Sequence, residues 1–200
     1  MMYRISFIMA LTVFITACHS DNKKEAAPIE NKESQAYLPV QDFIREDIRK
    51  VDSFAGGILC KFRDDRQQDS VFITPQQFHQ WAAEFLSSDL DSARFQSNYS
   101  ETSLIDQTTS VAQFIYSATA AEPAVRKVMV YLSPGPAYDK VGRIYMEKSY
   151  KNQDTLVQEK LTWKMNAYFM IIEMKQGPGG QNWSSVRKVI WDPRYFTDDL

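Results

Sequence analysis

Histidine and cysteine are scarce in this sequence, two of each among 200 residues. His19 and Cys18 stand together near the start, so the body of the chain keeps His79 and Cys60 alone. There is no Cys-x₂-Cys pair and no His-x₃-His pair, and the one histidine left in the body of the chain cannot fill a zinc sphere without several carboxylates. No metal or cofactor is expected. No Gly-x-Ser-x-Gly elbow supports a serine nucleophile. No basic block interrupts a formal charge of −2, so nucleic acid is not an expected partner. No apolar run approaches the roughly 20 residues that cross a bilayer as a helix. Glycine is sparse too, and Gly177-Pro178-Gly179-Gly180 joins two expected strands rather than opening a helix, so it is a hairpin loop and not a phosphate cradle.

What is present at the N-terminus is a short secretory pattern. Arg4 is the one charge before Cys18, and Ile5 to Ile15 is apolar apart from Ser6 and Thr12. Ile15-Thr16-Ala17-Cys18 gives a branched apolar residue, two small ones and a cysteine. These four positions resemble the lipobox of bacterial lipoproteins, with Ile15 where leucine is commonest. The resemblance implies that residues 1–17 are a signal peptide cut before Cys18. It also implies that Cys18 carries the lipid, a diacylglycerol on sulfur and usually an acyl chain such as palmitate on the new amine. Cys60 is then left without a disulfide partner in the chain. Two or three acyl chains at about 0.8 kcal/mol per buried CH₂ hold such an anchor permanently.

Residues 18–36 are the lipidated cysteine and a tether, polar and mixed in charge with no aromatic before Tyr37, a composition that cannot offset chain entropy by burial. His19 stands where aspartate would signal retention at the inner membrane, which points to the outer membrane. Asp21, Lys23, Lys24 and Glu25 resemble the export signals of Bacteroidota surface lipoproteins. The expected location is the cell envelope, lipid-anchored, on either its periplasmic or its surface face.

Residues 37–200 are expected to form one α+β domain. Val40, Ile44, Ile48 and Val51 recur at helical spacing behind Pro39, with Ala55-Gly56-Gly57 as the stop. Ile58, Cys60 and Phe62 alternate as the inward face of a strand, and residues 71–73 return as a second. Thr74, Pro75 and Gln77 make a capping box ahead of an apolar stripe of Phe78, Trp81, Ala82 and Phe85. From Phe95 onward the pattern predicts strands only, beginning with 95–102 and 109–119. Short polar turns join them as an antiparallel meander of at least five strands. The fold class is α+β: a mainly antiparallel, strongly curved sheet or half-barrel with the two early amphipathic helices packed on one face.

Catalytic chemistry finds little material. Cys60, on an inward face between apolar neighbours, is expected to be an inert buried thiol. His79 lies about 100° from the apolar stripe of its helix and should sit at a rim. Asp42, Glu46, Asp47 and Asp52 are interleaved with arginines and Lys50 and read as a solvated face with i,i+4 pairs such as Glu46–Lys50. Asp64, Asp65 and Asp69 around a turn lack EF-hand spacing.

Two features reach beyond packing. Met129, Met146, Met165, Met170 and Met174 with Trp163 and Trp191 could line a concave sheet. The candidate ligand or interface residues are Trp81, Met146, Trp163, Met165 and Met170. Tyr131, Tyr138, Tyr145 and Tyr150 near strand ends could form an interface rim. The leading expectation is a non-catalytic envelope lipoprotein whose domain binds a protein partner. The alternative is an anchored carrier or sensor for an apolar small molecule on the concave sheet. A remote third is an envelope hydrolase with an acidic site, for instance around Asp106.

Overall fold

The computed structural model describes residues 37–200 except 54, 55, 110 and 134–139. The signal, Cys18, the tether and Tyr138 lie outside the described residues. The chain enters at Tyr37, whose hydroxyl donates to the Tyr99 carbonyl at 2.8 Å, and Leu38 donates its N–H to the Tyr116 hydroxyl at 3.1 Å.

Helix α1 (Val40–Asp52) follows directly, with Val40, Ile44, Asp47, Ile48 and Val51 buried along one side. Arg49 and Lys50 in its last turn complement the negative end of the helix dipole. Ser53 closes it, ahead of the Gly56-Gly57 stop that the sequence suggested. The Glu46–Lys50 pair forms at 3.2 Å. Asp47 corrects the expectation of a wholly solvated acidic face, because it is fully buried. It stands three residues beyond Ile44 and four before Val51, inside the apolar stripe.

Strands β1 (Ile58–Asp64) and β2 (Gln68–Ile73) form a hairpin with Ile58 opposite Ile73. Helix α2 (Pro75–Ala82) carries the expected capping box. Thr74 Oγ1 accepts from the Gln77 N–H at 3.3 Å, and Gln77 Oε1 accepts from the Thr74 N–H at 3.0 Å. A 3₁₀ turn (Ala83–Phe85) continues it, and another spans Ser88–Leu90. The expected strand over 95–102 is corrected in its first half: Ser92–Asn98 is a short helix, α3. Phe95 and Tyr99, four residues apart, both reach the core while Ser97 between them is exposed, a helical and not an alternating spacing.

A meander then runs through β3 (Tyr99–Asp106), β4 (Val111–Ala118), β5 (Val125–Leu132), β6 (Val141–Asn152), β7 (Thr155–Lys164), β8 (Tyr168–Gln176) and β9 (Asn182–Ile190). All pairings are antiparallel, in the order β2-β1-β9-β8-β7-β6-β5-β4-β3. The early hairpin thus joins the far end of the meander, with Cys60 opposite Val189. The nine-stranded sheet is open, with β2 and β3 as its edges.

One face of the sheet meets the helices. Ile144, Trp163, Phe169 and Val189 share it with Ile44, Phe78, Phe85 and Phe95 in a single buried cluster. Rings fill the space between the layers: Trp163 lies 5.0 Å from Phe85 and 5.2 Å from Phe169, and Phe78 lies 5.7 Å from Phe169. Each such side chain contributes roughly 1.5–3 kcal/mol by burial.

The opposite face is partly covered by the C-terminal residues. Tyr195 packs 5.3 Å from Tyr168, and Phe196 lies 5.9 Å from Phe72. Lys61 Nζ donates to the Asp198 carbonyl at 2.7 Å, and Lys188 Nζ sits 3.5 Å from Asp198 Oδ2. This strap explains why Leu59, Lys188 and Ile190, all on the outer face of β1 and β9, are buried.

Candidate functional site

The five sequence-derived candidates do not converge on one surface. Met146 and Trp163 are fully buried on β6 and β7, and Met165, just past β7, is half-buried against the same cluster. The volume beside Trp163 is taken by Phe85, Phe169 and, 5.5 Å away, Trp191. Met170 points to the other face, opposite Thr162. Trp81 is half-buried on α2 with the Arg187 guanidinium 4.5 Å from its ring centre. The tyrosines divide likewise. Tyr131 and Tyr145 occupy the outer face, the former under Arg143 at 4.1 Å, the latter donating to Glu147 Oε1 at 3.1 Å. Tyr150 donates to Glu159 Oε1 at 3.0 Å on the helix side.

The cysteine and the histidine of the described residues have different surroundings. Cys60 is buried, which holds its thiol above the usual range. His79 is exposed at the end of α2, with Nε2 2.7 Å from Asp52 Oδ1. Among the described residues no group of three or more His, Cys, Asp or Glu side chains could hold a metal ion.

Two features emerge that the sequence reading did not single out. The first is a cleft of about 310 Å³ where α1 meets the β7–β8 turn and the end of β9, walled by Asp47, Lys50, Val51, Asn166, Trp191 and Arg194 among others. Asp47 Oδ2 accepts from the Trp163 indole N–H at 2.8 Å and from the Asn166 N–H at 2.9 Å. Asp47 Oδ1 is buried with no hydrogen-bond partner among the described residues. Burial raises this carboxyl above the ordinary aspartate range, and the two donors and Lys50 only partly offset it. Asn166 turns the chain with φ of 58°, which presents its N–H to Asp47. On the rim Asp192 and Arg194 are tied together, the shortest contact being 2.6 Å, and the guanidinium holds the Asp192 carboxyl below its usual range.

The second feature is the β2 edge. Val71 and Phe72 are 54 % and 64 % exposed, one side chain on each face of the sheet. β2 pairs only with β1, so among the described residues half of its backbone N–H and C=O groups face no strand. Val71 and Phe72 lie in the β-rich run Val71-Phe72-Ile73, so their exposure could have been suspected from a strand placed at an edge.

Comparison with known proteins finds no matching family model, no matching curated protein and no matching solved structure.

Proposed function

We propose that this chain is a cell-envelope lipoprotein, anchored through lipid on Cys18, probing its surroundings with a non-catalytic domain that binds a protein partner by strand addition at β2. One observation carries the binding mode: an edge strand with unpaired backbone groups and two large apolar side chains more than half exposed. An extended partner segment would pair with that backbone and bury Val71 and Phe72 on alternate faces. The lipid anchor rests on the lipobox resemblance at Ile15-Thr16-Ala17-Cys18.

The geometry of the anchor suits this role. The tether joins at Tyr37, which contacts Tyr99 on β3 and Tyr116 on β4, whereas β2 is the opposite edge of the sheet. Along the sheet the two edges are separated by eight strand spacings, roughly 38 Å at about 4.8 Å each. We take the sheet to bend strongly around its helices, because Ile73 on one edge strand and Tyr99 on the other belong to one buried cluster. The non-catalytic reading is supported by His79 facing Asp52 while Cys60 lies buried.

The test is photo-cross-linking in cells from Ser70 and Phe72 of the full lipidated chain, with Thr102 on β3 as the control edge. A discrete protein adduct from β2 positions and none from Thr102 is expected. Lipidated, folded protein that yields no adduct from either β2 position would sink the proposal.

A further inference from the structure

The outer face of the sheet carries a positive charge pair that packing alone does not explain. Register sets Tyr131 of β5, Arg143 of β6, Lys164 of β7 and Tyr168 of β8 side by side in one row across four strands. Arg143 and Lys164 are directly opposite one another, and like charges so placed destabilise a sheet. Among the described residues no carboxylate stands within ion-pair distance of either. The acids at the neighbouring strand ends are engaged elsewhere: Asp106 accepts from Thr108 and Thr109, and Asp198 pairs with Lys188.

The two cations line a cleft of about 360 Å³ on that face, together with Val111, Leu132, Ser133 and Tyr195 of the C-terminal strap among others. No acidic side chain belongs to its wall. Arg143 is exposed and Lys164 half-buried, so a solute can reach both. The Arg143 guanidinium lies 4.1 Å from the Tyr131 ring centre, a cation–π contact that holds the group in place without consuming its N–H donors. Gly142 makes room for Ser133 Oγ, which a Cβ there would meet at 2.7 Å, and this hydroxyl adds a further donor to the wall.

We propose that this cleft binds a small soluble phosphomonoester, its phosphate held by Arg143 and Lys164 and its organic body lying against the tyrosine rings. Charge decides between anions. A phosphomonoester carries about −1.5 to −2 near neutrality and matches two cations, whereas a carboxylate or a sulfonate brings one charge. The guanidinium fork can take two phosphate oxygens and the ammonium another, in contacts about twice as strong as neutral ones. A dianion between them also replaces the Arg143–Lys164 repulsion by two attractions. The volume stands at the lower end of the range typical of small-molecule sites, which suits a body of one ring. This inference is independent of the β2 edge and of the lipid anchor.

The experiment titrates the full chain, as matured by its host and held in dodecyl maltoside micelles, with phenyl phosphate, benzenesulfonate and benzyl alcohol. The readouts are the ¹H–¹⁵N resonances of the Gly142 and Lys164 backbone amides. Saturable shifts are expected, with phenyl phosphate at least about tenfold tighter than benzenesulfonate and no saturation by benzyl alcohol. Arg143→Gln and Lys164→Gln should each weaken phenyl phosphate about tenfold or more. Lys160→Gln, on the same face of β7 but outside the cleft, should change it less than about twofold. Sulfonate as tight as phosphate, no saturable shift, or an equal loss in Lys160→Gln would each overturn the proposal. So would a preference for phosphatidic acid in the same micelles, which would make the occupant a lipid. Asp139 lies outside the described residues, and saturation seen only in Asp139→Asn would also overturn the proposal, because the chain's own carboxylate would then occupy the two cations.

Discussion

The Trp163 indole N–H donates to Asp47 Oδ2 at 2.8 Å, joining α1 to the end of β7 between two fully buried side chains. This bond links residues 116 apart in sequence and fixes how α1 sits on the sheet. Asp47→Ala should therefore do more than remove one contact, because it strands the Trp163 and Asn166 donors in the interior. We expect a loss of about 2–4 kcal/mol in urea unfolding. A double-mutant cycle of Asp47→Asn with Trp163→Phe should give a coupling of about 1 kcal/mol or more. Strict additivity would show that the bond does not hold the helix.

The same carboxyl makes the stability depend on pH in an unusual direction. Burial first of all raises the folded-state pKa of Asp47 above the ordinary value. The folded chain then binds this proton more tightly than the unfolded one, so the contribution of Asp47 to stability is full below the unfolded pKa, about 3.9, and is lost as pH rises through the folded one. The advantage of wild type over Asp47→Asn should shrink as pH rises above about 4. Asp106 and Asp192 have the opposite sign, held low chiefly by hydrogen bonds from Thr109 and Arg194 respectively. Their contributions are present above the unfolded pKa and lost as pH falls through the lower folded one. A ¹³C-carboxyl titration that placed Asp47 below Asp106 and Asp192 would reverse this ordering and refute it.

Thr74 makes a local prediction. Its hydroxyl accepts the Gln77 N–H at 3.3 Å, and Thr74→Ala removes that half of the capping box. The expected cost is about 1 kcal/mol, read as a lower midpoint of thermal unfolding with native circular dichroism retained. A change within error would mean that water replaces the cap without penalty.

Cys60 should behave as an inert thiol. It is 3 % exposed and its ionisation is opposed by burial. Iodoacetamide should fail to label it in the native chain and should label it fully in denaturant. Fast native labelling would reopen a nucleophilic role for Cys60.

The proposed lipidation rests on one atom, the Cys18 sulfur. Cys18→Ala should leave an unprocessed precursor that takes up no radiolabelled palmitate and reaches no membrane fraction as mature protein. Maturation and membrane partitioning of that variant would disprove the lipobox reading.

Much of the architecture could be read residue by residue. The Thr74–Gln77 box and the shared inward face of Ile58 and Cys60 are decided by neighbours a few positions away. The miss at Ser92–Asn98 has the same local character. Phe95 supplies the one buried side chain of that helix, too little for a periodic pattern to stand out.

What the sequence determined alone was α1, α2 and most of the strands, because capping, turn chemistry and side-chain period act over one to four residues. What only the tertiary structure decided was where those elements meet. Nothing local tells β9 to pair with β1, the C-terminal strap to cover Leu59 and Ile190, or Asp47 to leave solvent for Trp163. A charged residue within an apolar stripe becomes tolerable only when distant donors arrive, and those donors are placed by the whole fold.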